Sequence, residues 1–449
     1  MTCKNPSFIF KNIYPFNLSF SKVLHLVFIF SLTILLILSS CSPAKRFPEK
    51  EKKPVNVETE SKTTETPGSG ESEFNAGFSA IRVSMQGIIA SDVIQLDLPA
   101  ILFDDKKKLA SLEADSYVNC YFRSGQVGIV TDEGEFSASK FILTSSENNG
   151  LVKLNGKSFR GDIQISVSGS SINIINVLNL EDYVKGVLPR EMPIGKGNEN
   201  FEALKAMAIC IRTYAVQKIK DGKIYFDIYA DTRDQVYGGA DAEHSISNNA
   251  VDETKNLILK YNDETTTIFY HSTCGGYTES SQNVFTKTDI PYLSTVKDGS
   301  EPNCRISPRF EWEEKYSHES IIYRLKDYHL LDNLNYKLKD MTVLSRFSSG
   351  RVHELEIEVA DENDEIKIIA LLGNEIRSVL RTTNKKNILW STMFYVSMNS
   401  NEVLISGRGF GHGVGLCQWG AIYLSRNGSS YTEILDLYYS GTTTGMLND

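Results

Sequence analysis

The sequence predicts a strand-rich α+β fold, and three observations carry that expectation. Short alternating segments fill residues 76–179, a long amphipathic helical pattern follows, and mixed elements run from there to the C-terminus. In the first region IRVSM, DVIQLDL, YVNCYF, VGIVT, KFILT, LVKL, IQISV and INIINVL alternate apolar with polar positions between Gly, Asn and Asp breaks, as half-buried strands do. LNGKSFRG, residues 154–161, is a turn followed by an aromatic-Arg-Gly step. From Glu199 to Lys220, Leu204, Met207, Ala208, Ile211, Ala215 and Ile219 recur at three- and four-residue spacing and describe one apolar helix face. Pro189 and Pro193 precede it and Gly222 follows, which are start and stop signals. Next come a helix near Ser245 to Lys255, strands at Leu257 to Tyr261 and Thr267 to His271, and an α/β stretch from Glu311 to about Met398. The chain closes on the Gly-rich GRGFGHGVGLCQWGA and a helix from Tyr431 to Tyr439, and it holds no internal repeat.

The 449 residues are 41% hydrophobic, enough for a large core. The net charge is -9, and no Lys/Arg-rich block exists outside the N-terminal fifth, so no nucleic-acid partner is expected. Lys4, Lys11 and Lys22 lead into an apolar run from Val23 to Leu38, which ends on Ser39, Ser40 and Cys41. A basic lead, an apolar stretch and small residues before a break form an export signal, and the run lacks the cationic far flank of a stop-transfer helix. An uncleaved anchor is the other reading, and both put the rest of the chain outside the cytoplasm. Residues 42–75 are rich in Lys, Glu, Thr, Ser and Pro and poor in large apolar residues, which marks a flexible tether. The resulting division is 1–41 signal, 42–75 tether, 76–179 strand-rich part and 180–449 core. Beyond Cys3 and Cys41 remain Cys120, Cys210, Cys274, Cys304 and Cys417, an odd number that leaves at least one free thiol. Cys210 falls in the helical pattern as a small hydrophobe, whereas Cys274 and Cys304 flank a turn-rich segment and can pair in an oxidising compartment.

Four segments are too idiosyncratic for packing alone. In LEDYVKGVLPREMP, Glu191 is expected on a constrained loop between two prolines, just ahead of the long helix. A helix start and neighbouring Arg190 favour the carboxylate, while burial against Met192 and the prolines raises its pKa toward that of a general acid. ADTRDQVYGG carries Gln235 and Tyr237 toward a Gly pair. YHSTCGGYTE brings His271, Ser272, Gly275 and Gly276, the glycines permitting positive φ or close approach of a ligand. GRGFGHGVGLCQWGA surrounds His412 with glycines and adds Gln418 and Trp419. Ser272 or Cys274 with His412 makes a nucleophile pair on paper. Likewise His271, Cys274, His412 and Cys417 are zinc-ligand types, though no close-spaced pair supports a site.

LNGKSFRG, LEDYVKGVLPREMP, FEALKAMAICIRTYA, DQVYGG, HSTCGGYTESSQNVF, PYLSTVKDG, FSSGRV, LLGNEIRSVL and GRGFGHGVGLCQWGA, in that order, resemble the SpoIID/LytB family of bacterial cell-wall proteins. LSSC likewise resembles the lipobox of bacterial lipoproteins, which implies lipidation of Cys41 and a lipid anchor in the membrane. The family resemblance implies a SpoIID-like domain with the long helix after the catalytic loop, acting as a lytic transglycosylase on peptide-stripped peptidoglycan glycan strands. Glu191 would be the acid/base, with Arg190, Arg212, Gln235, Tyr237, His271, Ser272, Gly275, Gly276, His412 and Gln418 binding substrate. Stripped strands expose lactyl carboxylates, for which Arg190 or Arg212 supplies the cation, although Arg212 is also suited to a structural ion pair. Some members hold zinc through His-Cys directly before Gln-Val-Tyr; Arg233 and Asp234 stand here, so no metal and no cofactor are expected. LytB-type relatives are linked to enhancement of a cell-wall amidase, which makes such an enzyme a candidate partner and glycan binding without catalysis the alternative function.

Overall fold

The computed structural model describes residues 80–447 apart from 87, 90–92, 105, 106, 148 and 149. The export signal, the lipidation position Cys41 and the tether lie outside the described residues.

Alternation builds the first layers. In the strand Lys140–Ser145, Phe141 and Leu143 are fully buried, and in Asp162–Ser168 Ile163 and Ile165 are. A seven-stranded sheet results, in the spatial order Ile228–Tyr229, Ala80–Ser84, Ser171–Asn179, Asp162–Ser168, Lys140–Ser145, Ala100–Asp104, Lys107–Leu112. Its pairs are antiparallel except the first, where Val83 aligns with Ile228. A second sheet joins Val93–Gln95, Tyr117–Arg123, Gln126–Thr131 and Gly134–Ala138. The LNGKSFRG turn closes a hairpin between Leu151–Leu154 and Lys157–Arg160, with Asn155 and Gly156 both at positive φ (49° and 77°), the pair a tight hairpin turn demands.

The segment LEDYVKGVLPRE is not a loop but helix α1, Leu180–Glu191. Asn179 caps it, its Oδ1 accepting the Glu181 N–H at 2.9 Å, and Glu181 and Asp182 fill the first turn where the helix dipole favours anions. Pro189 falls in the last turn, where its missing N–H cuts the ladder just before the helix ends. Helix α2, Phe201–Lys220, follows the apolar spacing, and Leu204, Met207, Ala208, Ile211 and Ala215 are fully buried. Helix α3, Ser245–Glu253, packs on both. One hydrophobic core runs from Ile81 to Tyr439 and so crosses position 179/180 without a break.

A second core occupies 316–405. It holds two three-stranded antiparallel sheets, one of Glu311–Ser317, Glu402–Arg408 and Phe394–Met398, the other of Lys337–Arg346, Val352–Ala360 and Ile366–Leu372. Helices α4, His318–Asp327, and α5, Glu375–Leu380, accompany them. The chain then re-enters the first core: Leu416–Cys417 pairs in parallel with Tyr270–His271 and leads into α6, Gln418–Arg426, and α7, Tyr431–Tyr438. Among the described residues no helix is long and apolar enough to cross a membrane.

Candidate active site

Glu191 is the last residue of α1, so its carboxyl sits at the negative end of a helix dipole, the reverse of the helix-start placement expected from the prolines. It is half-buried and forms no ion pair among the described residues. Its Oε1 accepts one hydrogen bond, from the Val236 N–H at 2.8 Å. Burial raises its pKa and that N–H opposes the rise; the net direction is upward, so the protonated acid persists to higher pH than in an ordinary glutamate.

A buried tyrosine-amide chain supports this acid from behind. Gln235 is fully buried; its Nε2 donates to the Tyr270 hydroxyl at 3.0 Å and its Oε1 accepts the Tyr183 hydroxyl at 3.0 Å. Tyr237 stacks on Tyr183, ring centroids 5.4 Å apart, and donates to Asn176 Oδ1 at 2.9 Å. Gln235 and Tyr237 are therefore packing elements that hold the Val236 amide in place, and neither presents a face to a sugar. Both were expected to bind substrate, and burial excludes that. Beside them Asp234 is taken up by the Tyr214 hydroxyl (2.7 Å), the Tyr229 N–H (2.9 Å) and Lys218 (3.3 Å), while Arg233 pairs with Asp231 at the surface.

The two arginines separate. Arg190 is exposed and makes no ion pair among the described residues. Arg212 has no exposed surface; its Nε and Nη2 grip Glu181 at 2.8 and 2.7 Å, and Nη1 donates to the Leu257 carbonyl at 2.9 Å. A guanidinium so enclosed cannot reach a glycan carboxylate, which corrects its assignment to substrate binding.

His271 and His412 come together with ring centroids 5.5 Å apart, reaching Glu191 through Tyr270 and Gln235. His412 Nδ1 accepts the Val414 N–H at 3.1 Å, so Nε2 carries the proton and donates to the Tyr270 carbonyl at 2.9 Å. With both nitrogens committed, His412 can neither activate Ser272 or Cys274 nor ligate zinc with His271, Cys274 and Cys417. His271 is buried, 4% exposed, and hydrogen-bonds the Val414 carbonyl through Nδ1 at 3.1 Å. Burial holds His412 down to about 3 and His271 well below the usual histidine range, so both are neutral supports rather than proton carriers. Burial keeps the His271 side chain from a substrate, contrary to expectation, whereas His412 is only half-buried. Ser272, half-buried, accepts the Trp419 N–H through its carbonyl at 3.1 Å, and Gln418, also half-buried, opens α6. Gly275 and Gly276 do adopt positive φ, 82° and 115°. They line a cavity of about 1010 Å³ with Trp312, Arg346, Tyr395 and Arg408, and Glu191 is not part of its wall. Tyr183, Tyr270 and Val236 escaped the sequence reading; the tyrosines carried only the signal of lying beside Asp182 and His271.

An α+β domain with a half-buried, unpaired acid braced by tyrosines and neutral histidines is the class these elements define. Residues 168–261 match the family model described as Stage II sporulation protein, and 301–415, which contain the second core, match a domain of unknown function, DUF8618. The chain is 29% identical to an uncharacterized protein of Brachyspira hyodysenteriae over 80% of this chain and 91% of that one. It is 30% identical to the amidase enhancer of Bacillus subtilis over 58% of this chain and 40% of that protein. Identity to Stage II sporulation protein D of the same organism is 27%, over 62% and 78% respectively. Residues 168–261 thus carry the SpoIID match, and the chain is similar to SpoIID/LytB proteins over 58–62% of its length.

Proposed function

We propose that this protein is a lytic transglycosylase that cleaves peptide-stripped peptidoglycan glycan strands to 1,6-anhydro-muramyl ends, with Glu191 as the single acid/base. The observation that carries the reading is a carboxyl with raised pKa, a fixed backbone donor and no cationic partner among the described residues. Protonated Glu191 gives its proton to the glycosidic oxygen as the C1–O bond breaks. The resulting carboxylate then takes the proton of the sugar's own 6-hydroxyl as that oxygen bonds to C1. Hydrolysis by external water ordinarily needs a second carboxyl; intramolecular attack does not, and it gains from proximity. Arg190, exposed next to the acid, is the cation for the lactyl carboxylates of a stripped strand. Export and lipidation at Cys41 would hold the domain at the membrane surface on a tether.

The similarity to an amidase enhancer supports a second reading, in which the domain binds glycan and stimulates a cell-wall amidase without cleaving. Product chemistry separates the two. The full chain incubated with stripped glycan yields anhydro-muramyl ends by mass spectrometry, and Glu191→Gln lowers the rate by about 10²–10⁴-fold, the usual worth of a positioned acid/base. Cleavage by Glu191→Gln at the parental rate rejects the proposed role; stimulation of an amidase with no glycan cleavage by either protein selects the enhancer.

A further inference from the structure

Three cysteines from distant parts of the chain converge on one aspartate. Cys274 follows the strand Tyr270–His271, Cys304 lies in the short turn of helix Asn303–Ile306, and Cys417 ends the strand Leu416–Cys417. With Asp298 they are fully buried, and one ligand atom from each lies within 4.8 Å of all the others. From this geometry we propose that Cys274, Asp298, Cys304 and Cys417 bind a structural Zn(II) ion.

Packing accounts for the sulfurs, since a buried thiol behaves as a small hydrophobe. It does not account for the carboxylate. Asp298 accepts the Cys304 N–H at 2.9 Å and the Tyr438 hydroxyl at 2.6 Å, yet no Lys or Arg pairs with it among the described residues. Buried charges are paired or coordinate metals. Backbone amides also point at sulfur: the Cys274 N–H donates to Cys417 Sγ at 3.2 Å and the Gly276 N–H to Cys274 Sγ at 3.4 Å. Such donors suit thiolates, and outer hydrogen bonds of this kind orient metal ligands. A buried cation lies alongside, Arg351, which donates to the Cys274 carbonyl at 2.6 Å and has no ion pair among the described residues. It offsets the net negative charge of an ion held by three thiolates and a carboxylate.

Zinc–sulfur bonds of about 2.3 Å in a tetrahedral array put sulfurs about 3.8 Å apart, so Cys274 and Cys304, 3.4 Å apart here, would separate slightly while the wider pairs close in. Soft sulfur donors in tetrahedral number select zinc over magnesium or calcium. Four protein ligands leave no open position, so the ion is a staple rather than a Lewis acid for substrate. As it binds, the three thiols give up their protons to solvent and each S–H is replaced by a Zn–S bond. The staple ties the HSTCGG and GLCQWG segments together at the strand pair that carries Tyr270, and thus braces the Gln235–Val236 support of Glu191. The centre stands independently of whether Glu191 cleaves glycan.

The full chain, purified from an exporting host without chelator, is expected to carry stoichiometric zinc by plasma mass spectrometry. Cobalt substitution should give thiolate charge-transfer and tetrahedral d–d bands. Cys210→Ser, a buried cysteine outside the cluster, keeps the metal, whereas Cys304→Ser and Asp298→Asn lower zinc content about tenfold or more. Should the variants misfold, chelation of the parent decides, by lowering its melting temperature and by freeing Cys274, Cys304 and Cys417 to alkylation. Metal-free parent protein, retention of zinc by Cys304→Ser, or a Cys274–Cys304 disulfide found by alkylation before reduction each overturns the proposal.

Discussion

Replacing Arg212 with alanine tests the division between structural and substrate-facing charge. The side chain ties α1 to α2 through Glu181, and reaches Leu257 and Val251 through their carbonyls at 2.9 and 3.4 Å. Glu181 also accepts the Asn256 N–H at 3.1 Å, so the pair anchors three segments behind the acid. Arg212→Ala leaves Glu181 charged and buried with one weak partner, a loss of about 3–5 kcal/mol for a broken buried pair. An unfolding entropy of about 2.1 cal/mol/K per residue over residues 80–447 converts 4 kcal/mol into a melting-temperature drop of roughly 5 °C. Circular dichroism melts at neutral pH read that drop. Because the partner leaves with it, Glu181→Leu/Arg212→Met should lose less than the sum of the single substitutions. An Arg212→Ala protein that melts within about 1 °C of the parent yet no longer binds stripped glycan would refute the structural assignment.

Two further outcomes follow from titration. Glu191 has a folded pKa above its unfolded value, so the folded state holds the proton longer and stability falls as pH rises from about the ordinary 4.5 through the raised value. Glu191→Gln should therefore be more stable than the parent at neutral pH, with the gap closing in acid, while parental glycan cleavage declines as pH rises through the same range; equal stability at every pH would contradict the buried acid. His412 is the opposite case: held at about 3 when folded, it contributes stability above pH 6.5 that is lost as pH falls toward 3, about 2 kcal/mol by pH 5. His412→Gln should flatten that part of the acid-unfolding curve, and an unchanged curve would show that the imidazole is free to protonate in the fold.

Elements with a clean local period were legible in the sequence. Leu257–Tyr261 appears with the expected bounds, α2 begins two residues after its expected start, and all eight alternating segments before position 180 contain strands. α1 was hidden because Pro189 and Pro193 read as punctuation, although a proline in the last turn costs the helix little of its ladder. The strands Ala100–Asp104 and Lys107–Leu112 were missed because partners, rather than their own pattern, make them strands.

The site divides along the same line. By itself the sequence carried the family resemblance and singled out Glu191 as a candidate, because each resides in a contiguous string of residue types. Whether Arg212, Gln235 and Tyr237 meet solvent or each other depended on how α1, α2 and the 234–239 loop pack, and residue type carries no record of that. Cys274 lies 30 residues from Cys304 and 143 from Cys417, so the sequence offered pairs among them but not the convergence of all three on Asp298. Tertiary structure alone decided it, because burial and charge pairing are properties of surfaces brought together from far along the chain.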